Sequence, residues 1–250
     1  MGLITLTTDF GSFYPAVMKA TIIAIEPHAT VIDITHDVTP HAIREGAFLL
    51  REAVKYFPRG TVHIAVVDPT VGTERQGLVI EAGGHYLVGP DNGLLIPAAR
   101  ALGDFDVLSI QMVAASHTFH GRDIFAPVGA HISSGQLPPG QHASTFVNLD
   151  LSDAQKRDEM LLGAIVYIDR FGNCITNIPR GLMAGLSNGD HFLLNGEIEL
   201  RFVTTYGEEV EGQLLLVVGS FEFVEIAVNK GNAARALKLN VGDNITLTPC

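Results

Sequence analysis

The chain has 250 residues, 47% of them hydrophobic, so it can bury a substantial core as one large domain or two unequal ones. Sixteen Lys and Arg against 27 Asp and Glu leave a formal net charge of −11, which argues against a nucleic-acid or anionic-membrane partner and suits a cationic ligand. Two cysteines, Cys174 and Cys250, make neither a disulfide framework nor a metal-finger spacing, no run reaches the ~18 apolar residues of a membrane span, and the first residues lack a signal-peptide pattern, so a cytoplasmic protein is expected.

In chain order, LITLT (3–7) predicts a strand, and YPAVMKATIIAIEP (14–27) repeats apolar residues near the 3.6 period until Pro27 stops it. TVIDIT (30–35) predicts a second strand. In AIREGAFLLREAVKYF (42–57), Ala47, Leu50, Val54 and Phe57 share one face while Arg44, Glu45, Arg51 and Lys55 stay wet, which predicts an amphipathic helix. TVHIAVV (61–67) reads as a third strand, and GLVIEAGGHYLVG (77–89) as two strands joined at Gly83 and Gly84. GLLIPAARAL (93–102) and DIFAPVGAHISSG (123–135) read as helices. This alternation predicts a Rossmann-like α/β domain over residues 1–150 with a central, mostly parallel sheet. Residues 151–160 are polar and aperiodic, and predict a linker. Residues 161–250 hold short strand-like runs with a hairpin signal at Asn195–Gly196, predicting a smaller all-β domain, a barrel or a sandwich.

Neither of the two commonest phosphate-cradling glycine loops occurs. What stands out instead is a set of polar residues at strand ends or in the loops after them: Asp9, Asp33, His36, Asp37, Asp68, Arg75, Asp91, Asn92, His120, Arg122 and Asp123. Each has a plain structural reading. Asp9 can cap a turn, Asp91-Asn92-Gly93 is ordinary turn chemistry, and Asp123 can start a helix. Collected at the carboxyl edge of one sheet, where such folds present their loops, they predict a ligand site. Asp9, Asp37, Asp68, Asn92 and His120 are also the residue types of a two-metal phosphohydrolase, and a non-catalytic nucleoside sensor is a further alternative.

The motifs TTDFG, DITHDVTP, VVDPTVGTER, GPDNGLL, FHGRDIFAP, IDRFGNCITNI and GSFEFVEIAVNKGNAA, in this order over residues 5–234, resemble the S-adenosyl-L-methionine hydroxide adenosyltransferases, adenosine-forming relatives of the fluorinating and chlorinating enzymes. The resemblance implies an N-terminal α/β domain, a C-terminal β-barrel-like domain and a homotrimer with sites at subunit interfaces. It also implies a reaction, attack of water on C5′ of S-adenosyl-L-methionine to release adenosine and L-methionine, with no cofactor and no metal. The family's activating triad falls on Asp68, Arg75 and His120. Its ribose carboxylate falls on Asp9, its adenine pair on Phe171 and Asn173, and its methionine-end residues on Asp169 and Ser220.

Those residue types suit the chemistry. The sulfonium leaves as a neutral thioether, so no general acid is required, only a water held in line behind C5′ and made nucleophilic. Asp68 can take or polarise the water's proton, Arg75 supplies an opposite charge and a donor, and His120 can hold the water or the carboxylate in place. Which group deprotonates the water stays open at this level. The halogenating relatives carry an aromatic residue where this chain has Asp68, and a carboxylate there repels a halide, so water is the expected nucleophile. Two departures weaken the methionine end: the 12–17 segment is short and lacks a second acid, and Phe221 stands where the halogenating relatives have an Arg.

Overall fold

The LITLTT run becomes β1 (Leu3–Thr8), buried along most of its length because β2 (Thr30–Thr35) and β3 (Val62–Val66) pair with it on either side. The computed structural model describes residues 2–110, 115–151 and 153–250, and the chain divides into two units, Met1–Asp150 and Leu151–Cys250.

In the first unit β4 (Gly77–Ala82), β5 (His85–Pro90), β6 (Phe105–Ile110) and β7 (Gly140–His142) complete a sheet of order β2-β1-β3-β5-β4-β6-β7. The sheet is mixed. Strands β2, β1, β3 and β5 run parallel, while β4, β6 and β7 add antiparallel pairings. The reason is local: the two-residue Gly83–Gly84 turn folds β5 straight back on β4, and a hairpin so short can only be antiparallel. Helices α1 (Phe13–Ile25), α2 (Ile43–Val54), α3 (Ile96–Leu102) and α4 (Ala126–Ser133) cover the sheet. The two-residue alternation of β3 sends Val62, Ile64 and Val66 into a core with Ile4, Leu6, Met18 and Ile22, and Val67 towards Gly46 of α2. Helix α1 is apolar nearly all round, and Phe13, Tyr14 and Ile23 remain exposed on it.

In the second unit β9 (Met160–Ile168), β10 (Cys174–Pro179), β11 (His191–Leu194), β12 (Ile198–Phe202), β13 (Leu214–Val218), β14 (Phe223–Val228) and β15 (Asn244–Pro249) pair in a ring. The order β10-β14-β13-β12-β11-β15-β9 closes through β9 on β10, which decides barrel over sandwich. Phe192, Leu194, Leu200, Leu216, Ile226 and Leu247 fill the interior, and a short helix α5 (Ala233–Leu237) follows β14. The 151–160 segment, expected as a linker, carries a strand, β8 (Gln155–Arg157), which turns at Asp158 and pairs with the start of β9; Ser152 lies outside the described residues. Its side chains are exposed, so no apolar period announced it. Among the described residues no helix is long and apolar enough to cross a membrane.

Candidate active site

β3 delivers Asp68 to the carboxyl edge of the parallel strands. The strand end is held by Asn92, whose Nδ2 donates to the carbonyl of Val67 at 2.8 Å, while its Oδ1 accepts from Leu94 N at 3.2 Å. Asn92 is thereby committed to backbone, the plain turn reading of that residue, and it positions the residue just before Asp68. After Asp68 the chain turns tightly, with Val71 N on the Asp68 carbonyl and Thr73 N on that of Thr70. Gly72 sits at φ 82°, and a Cβ there would meet the carbonyl oxygen of His117 at 2.4 Å, so a glycine is needed to bring this turn against the segment that carries His120.

The turn returns Arg75 onto Asp68. Arg75 Nε donates to Asp68 Oδ1 at 2.9 Å and Nη2 to Oδ2, a bidentate pair in which the side chains are only 7% and 3% exposed. The second Nη2 proton points to Nδ1 of His120 at 2.8 Å. A guanidinium only donates, so this Nδ1 accepts, which leaves the imidazole neutral with its proton on Nε2. Burial, with the Arg75 charge beside it, also holds the His120 pKa below the usual imidazole range. The Arg75 guanidinium lies over the ring of Phe125, 5.4 Å from its centroid. The three residues of the expected triad are therefore one hydrogen-bonded unit.

A pocket of about 340 Å³ opens on Asp68 and His120, walled by Phe10, Tyr14, Val71 and Phe119. Phe119 packs edge-on to Phe10 and Tyr14, with centroids 5.7 and 5.2 Å apart. Sequence reasoning missed this aromatic wall, although all three rings sit inside or beside motifs already singled out. Asp9 lies next to Phe10, and its Oδ2 accepts from the backbone of His41 at 2.9 Å. The other strand-end candidates take partners away from this triad. Asp33 pairs with Lys19 at 2.5 Å and lies 3.0 Å from His36, Asp123 pairs with Arg122, and Asp91 accepts from Val147 N. Among the described residues no group of three His, Cys, Asp or Glu side chains is placed to hold a metal ion, and the donor set weighed for a phosphohydrolase is not gathered.

In the barrel unit, the β9–β10 turn gathers Asp169, Phe171 and Asn173. Asp169 Oδ1 accepts from the backbone of Phe171 and Asn173, and its Oδ2 from the Asn173 amide at 2.9 Å. Phe171 is 75% exposed, so it is not core packing. Ser220, exposed in the β13–β14 turn, lines with Asp169 a second pocket of about 360 Å³ that also contains Tyr206, Phe221 and Glu225. Glu225 was missed too. Its signal was an acid in an otherwise apolar strand, on the parity opposite to Val224, Ile226 and Val228, which point into the barrel.

A mixed α/β unit with a buried Asp–Arg–His set at its strand ends, accompanied by a closed barrel, makes this a two-unit α/β-plus-barrel protein without the glycine loop of a dinucleotide-binding sheet. The chain belongs to the SAM hydroxide adenosyltransferase family, whose N-terminal domain matches residues 4–142 and whose C-terminal domain matches residues 163–246. It is 38% identical to an (R)-S-adenosyl-L-methionine hydrolase of Methanocaldococcus jannaschii, over 99% of this chain and 96% of that one. A protein of the same name from Salinispora tropica is 37% identical over 98% and 97%, and a fluorinase of an Actinoplanes species 24% identical over 98% and 97%. Among solved structures, a conserved protein from Thermotoga maritima superposes with a TM-score of 0.89 at 34% identity, covering 98% of this chain and 99% of that one.

Proposed function

We propose that this chain hydrolyses S-adenosyl-L-methionine to adenosine and L-methionine by attack of water on C5′ of the ribose. The observation that carries the reading is the buried Arg75 guanidinium that holds Asp68 with one edge and His120 with its remaining Nη2 proton, beside an aromatic-walled pocket. The relatives named as hydrolases give the substrate.

In this reading Asp68, His120 and Arg75 divide the work. The lone pairs of Asp68 not taken by Arg75 accept a proton of the water, and His120 Nε2–H donates to the water oxygen. One water lone pair stays free to enter C5′ opposite the sulfonium. As the C5′–O bond forms, the C5′–S bond breaks and its electron pair stays on sulfur, giving neutral L-methionine; the proton released by the water passes to the Asp68 side. Arg75 fixes both partners, and the Asp68 lone pairs left facing the site present an acceptor to water and a repulsive charge to halide.

Asp9 takes the ribose hydroxyls, Phe171 and Asn173 the adenine, and Asp169 and Ser220 the methionine end. The 75% exposure of Phe171 leaves a ring face free for a base. No cofactor or metal enters the proposed reaction. A cytoplasmic homotrimer is part of the proposal, with the two halves of each site coming from different subunits. Exposed Phe13, Tyr14 and Ile23 on α1 and Ile32 on β2 support it as apolar surface in want of a neighbour.

Turnover in ¹⁸O-water with a strong chelator tests the reaction. Label should appear in adenosine and the rate should not change on chelation. Loss of activity restored by a divalent ion would overturn the metal-free mechanism, and tight binding without products would make the chain a sensor.

A further inference from the structure

The barrel-unit pocket has a composition that the resemblance does not account for. Asp169 is heavily used by its own turn, since both its oxygens accept hydrogen bonds from Phe171 and Asn173. A second carboxylate, Glu225 of β14, enters the same pocket and is only 6% exposed. Tyr206 donates its hydroxyl to Glu225 Oε2 at 2.7 Å. Glu225 Oε1 lies under the β13–β14 turn, where a Cβ on Gly219 would come within 1.7 Å of it. A side chain at position 219 would therefore displace the Glu225 carboxylate from its present place.

No Lys, Arg or His lines the pocket among the described residues, and Phe221 follows Ser220. Burial raises the Glu225 pKa, and the nearby Asp169 charge adds to this against the Tyr206 hydrogen bond. Two carboxylates facing one pocket without a protein cation are electrostatically incomplete. A primary ammonium, with three donors and no acceptor, completes them.

We infer that Glu225, oriented by Tyr206, is the second carboxylate of an ammonium-binding cage with Asp169, and that this cage selects substrates bearing a free α-amino group. The inference rests on the reading above that the methionine end of the substrate lies at Asp169 and Ser220. It also explains how the chain manages without a second acid in the 12–17 segment, because the missing charge is supplied from β14.

The test compares S-adenosyl-L-methionine with its analogue lacking the α-amino group, in the wild type, Glu225→Gln and Tyr206→Phe. Glu225→Gln keeps the shape and removes the charge. Losing a hydrogen bond to a charged group is a change of roughly 10- to 100-fold, expected in KM for the natural substrate with kcat within about threefold. The des-amino analogue should show no such difference between wild type and variant. Tyr206→Phe, which removes only the hydroxyl, should shift KM in the same direction by less, and it serves if Glu225→Gln fails to fold. Equal losses on both substrates, or an unchanged KM, would overturn the cage. Calorimetry of L-methionine against its des-amino counterpart separates this from the hydrolase reading: a wild type that prefers L-methionine and a variant that does not would support the cage even if turnover were absent, and equal binding by the wild type would sink it.

Discussion

Arg75 Nη2 carries two protons, and the structure directs one at Asp68 and the other at His120. A substitution at this one position therefore disturbs both partners at once, and Lys, a point charge without the planar fork, cannot replace it. Asp68→Asn and Arg75→Ala should lower kcat by about 10²- to 10⁴-fold, the usual range for a general base and its support, while the dissociation constant for substrate stays near wild type. Single-turnover kinetics with an equilibrium binding measurement checks this. A folded Asp68→Asn protein with full activity would remove Asp68 from the mechanism. Asp33, Asp91, Asn92 and Asp123 looked equivalent to Asp68 as acids and amides at strand ends, but Asp33 pairs with Lys19 and His36, Asp123 with its neighbour Arg122, and Asp91 and Asn92 with backbone groups. Asp68 differs in that its cation, Arg75, also reaches His120 from another part of the chain, which spacing alone does not express.

At the scale of elements, β1, β3 and β5 are pinned by a polar chain inside the sheet's apolar packing. Thr5 Oγ1 meets His63 Nδ1 at 2.8 Å, and His63 Nε2 meets His85 Nδ1 at 3.2 Å, with the imidazoles stacked. Burial pushes the His63 pKa down to about 3, with the His85 charge adding to it, and burial and Arg59 lower that of His85. His63 thus stays neutral in the folded chain while an unfolded imidazole protonates near its ordinary value. The stability it contributes is complete above about pH 6.5 and is lost as pH falls from there towards about 3. Between pH 7 and pH 5 the His63 share of that loss is on the order of 2 kcal/mol. Urea titrations at the two pH values, at one protein concentration, should show a folded His63→Gln variant losing less stability than wild type by about that amount. Identical pH dependence would mean that His63 is not the group that titrates.

For the whole molecule, the proposed site residues divide between the units: Asp9, Asp68, Arg75 and His120 in the first, and Asp169, Phe171, Asn173 and Ser220 in the second. If the two halves of each site come from different subunits, Asp68→Ala and Asn173→Ala proteins are each weak alone but complement when mixed. Random co-assembly in equal amounts leaves about a quarter of the heterologous contacts of a ring without a lesion, so activity should recover to roughly a quarter of wild type. A site built within one chain cannot recover, since every chain carries a lesion. Mixed oligomers verified by native mass spectrometry that stay inactive would overturn the shared-site proposal.

The amino-acid sequence by itself determined the α/β-then-β order, the strands and helices whose apolar periods are long, and the motifs that resemble the hydroxide adenosyltransferases. These are local properties: periodicity, turn residues and spacing act within a few residues and survive without the rest of the fold. The two-glycine turn that fixes β5 against β4, and so makes half of the sheet antiparallel, is local in the same way. Three features were decided only by tertiary structure. The second unit became a closed barrel because β9 and β10, neighbours in sequence, also join the two ends of the strand order. The aromatic wall around Asp68 and the Glu225–Tyr206 pair beside Asp169 arose from residues distant in the chain. Such contacts depend on loop closure and packing between elements, and no local pattern records which distant side chain will be brought to an acid's free oxygen.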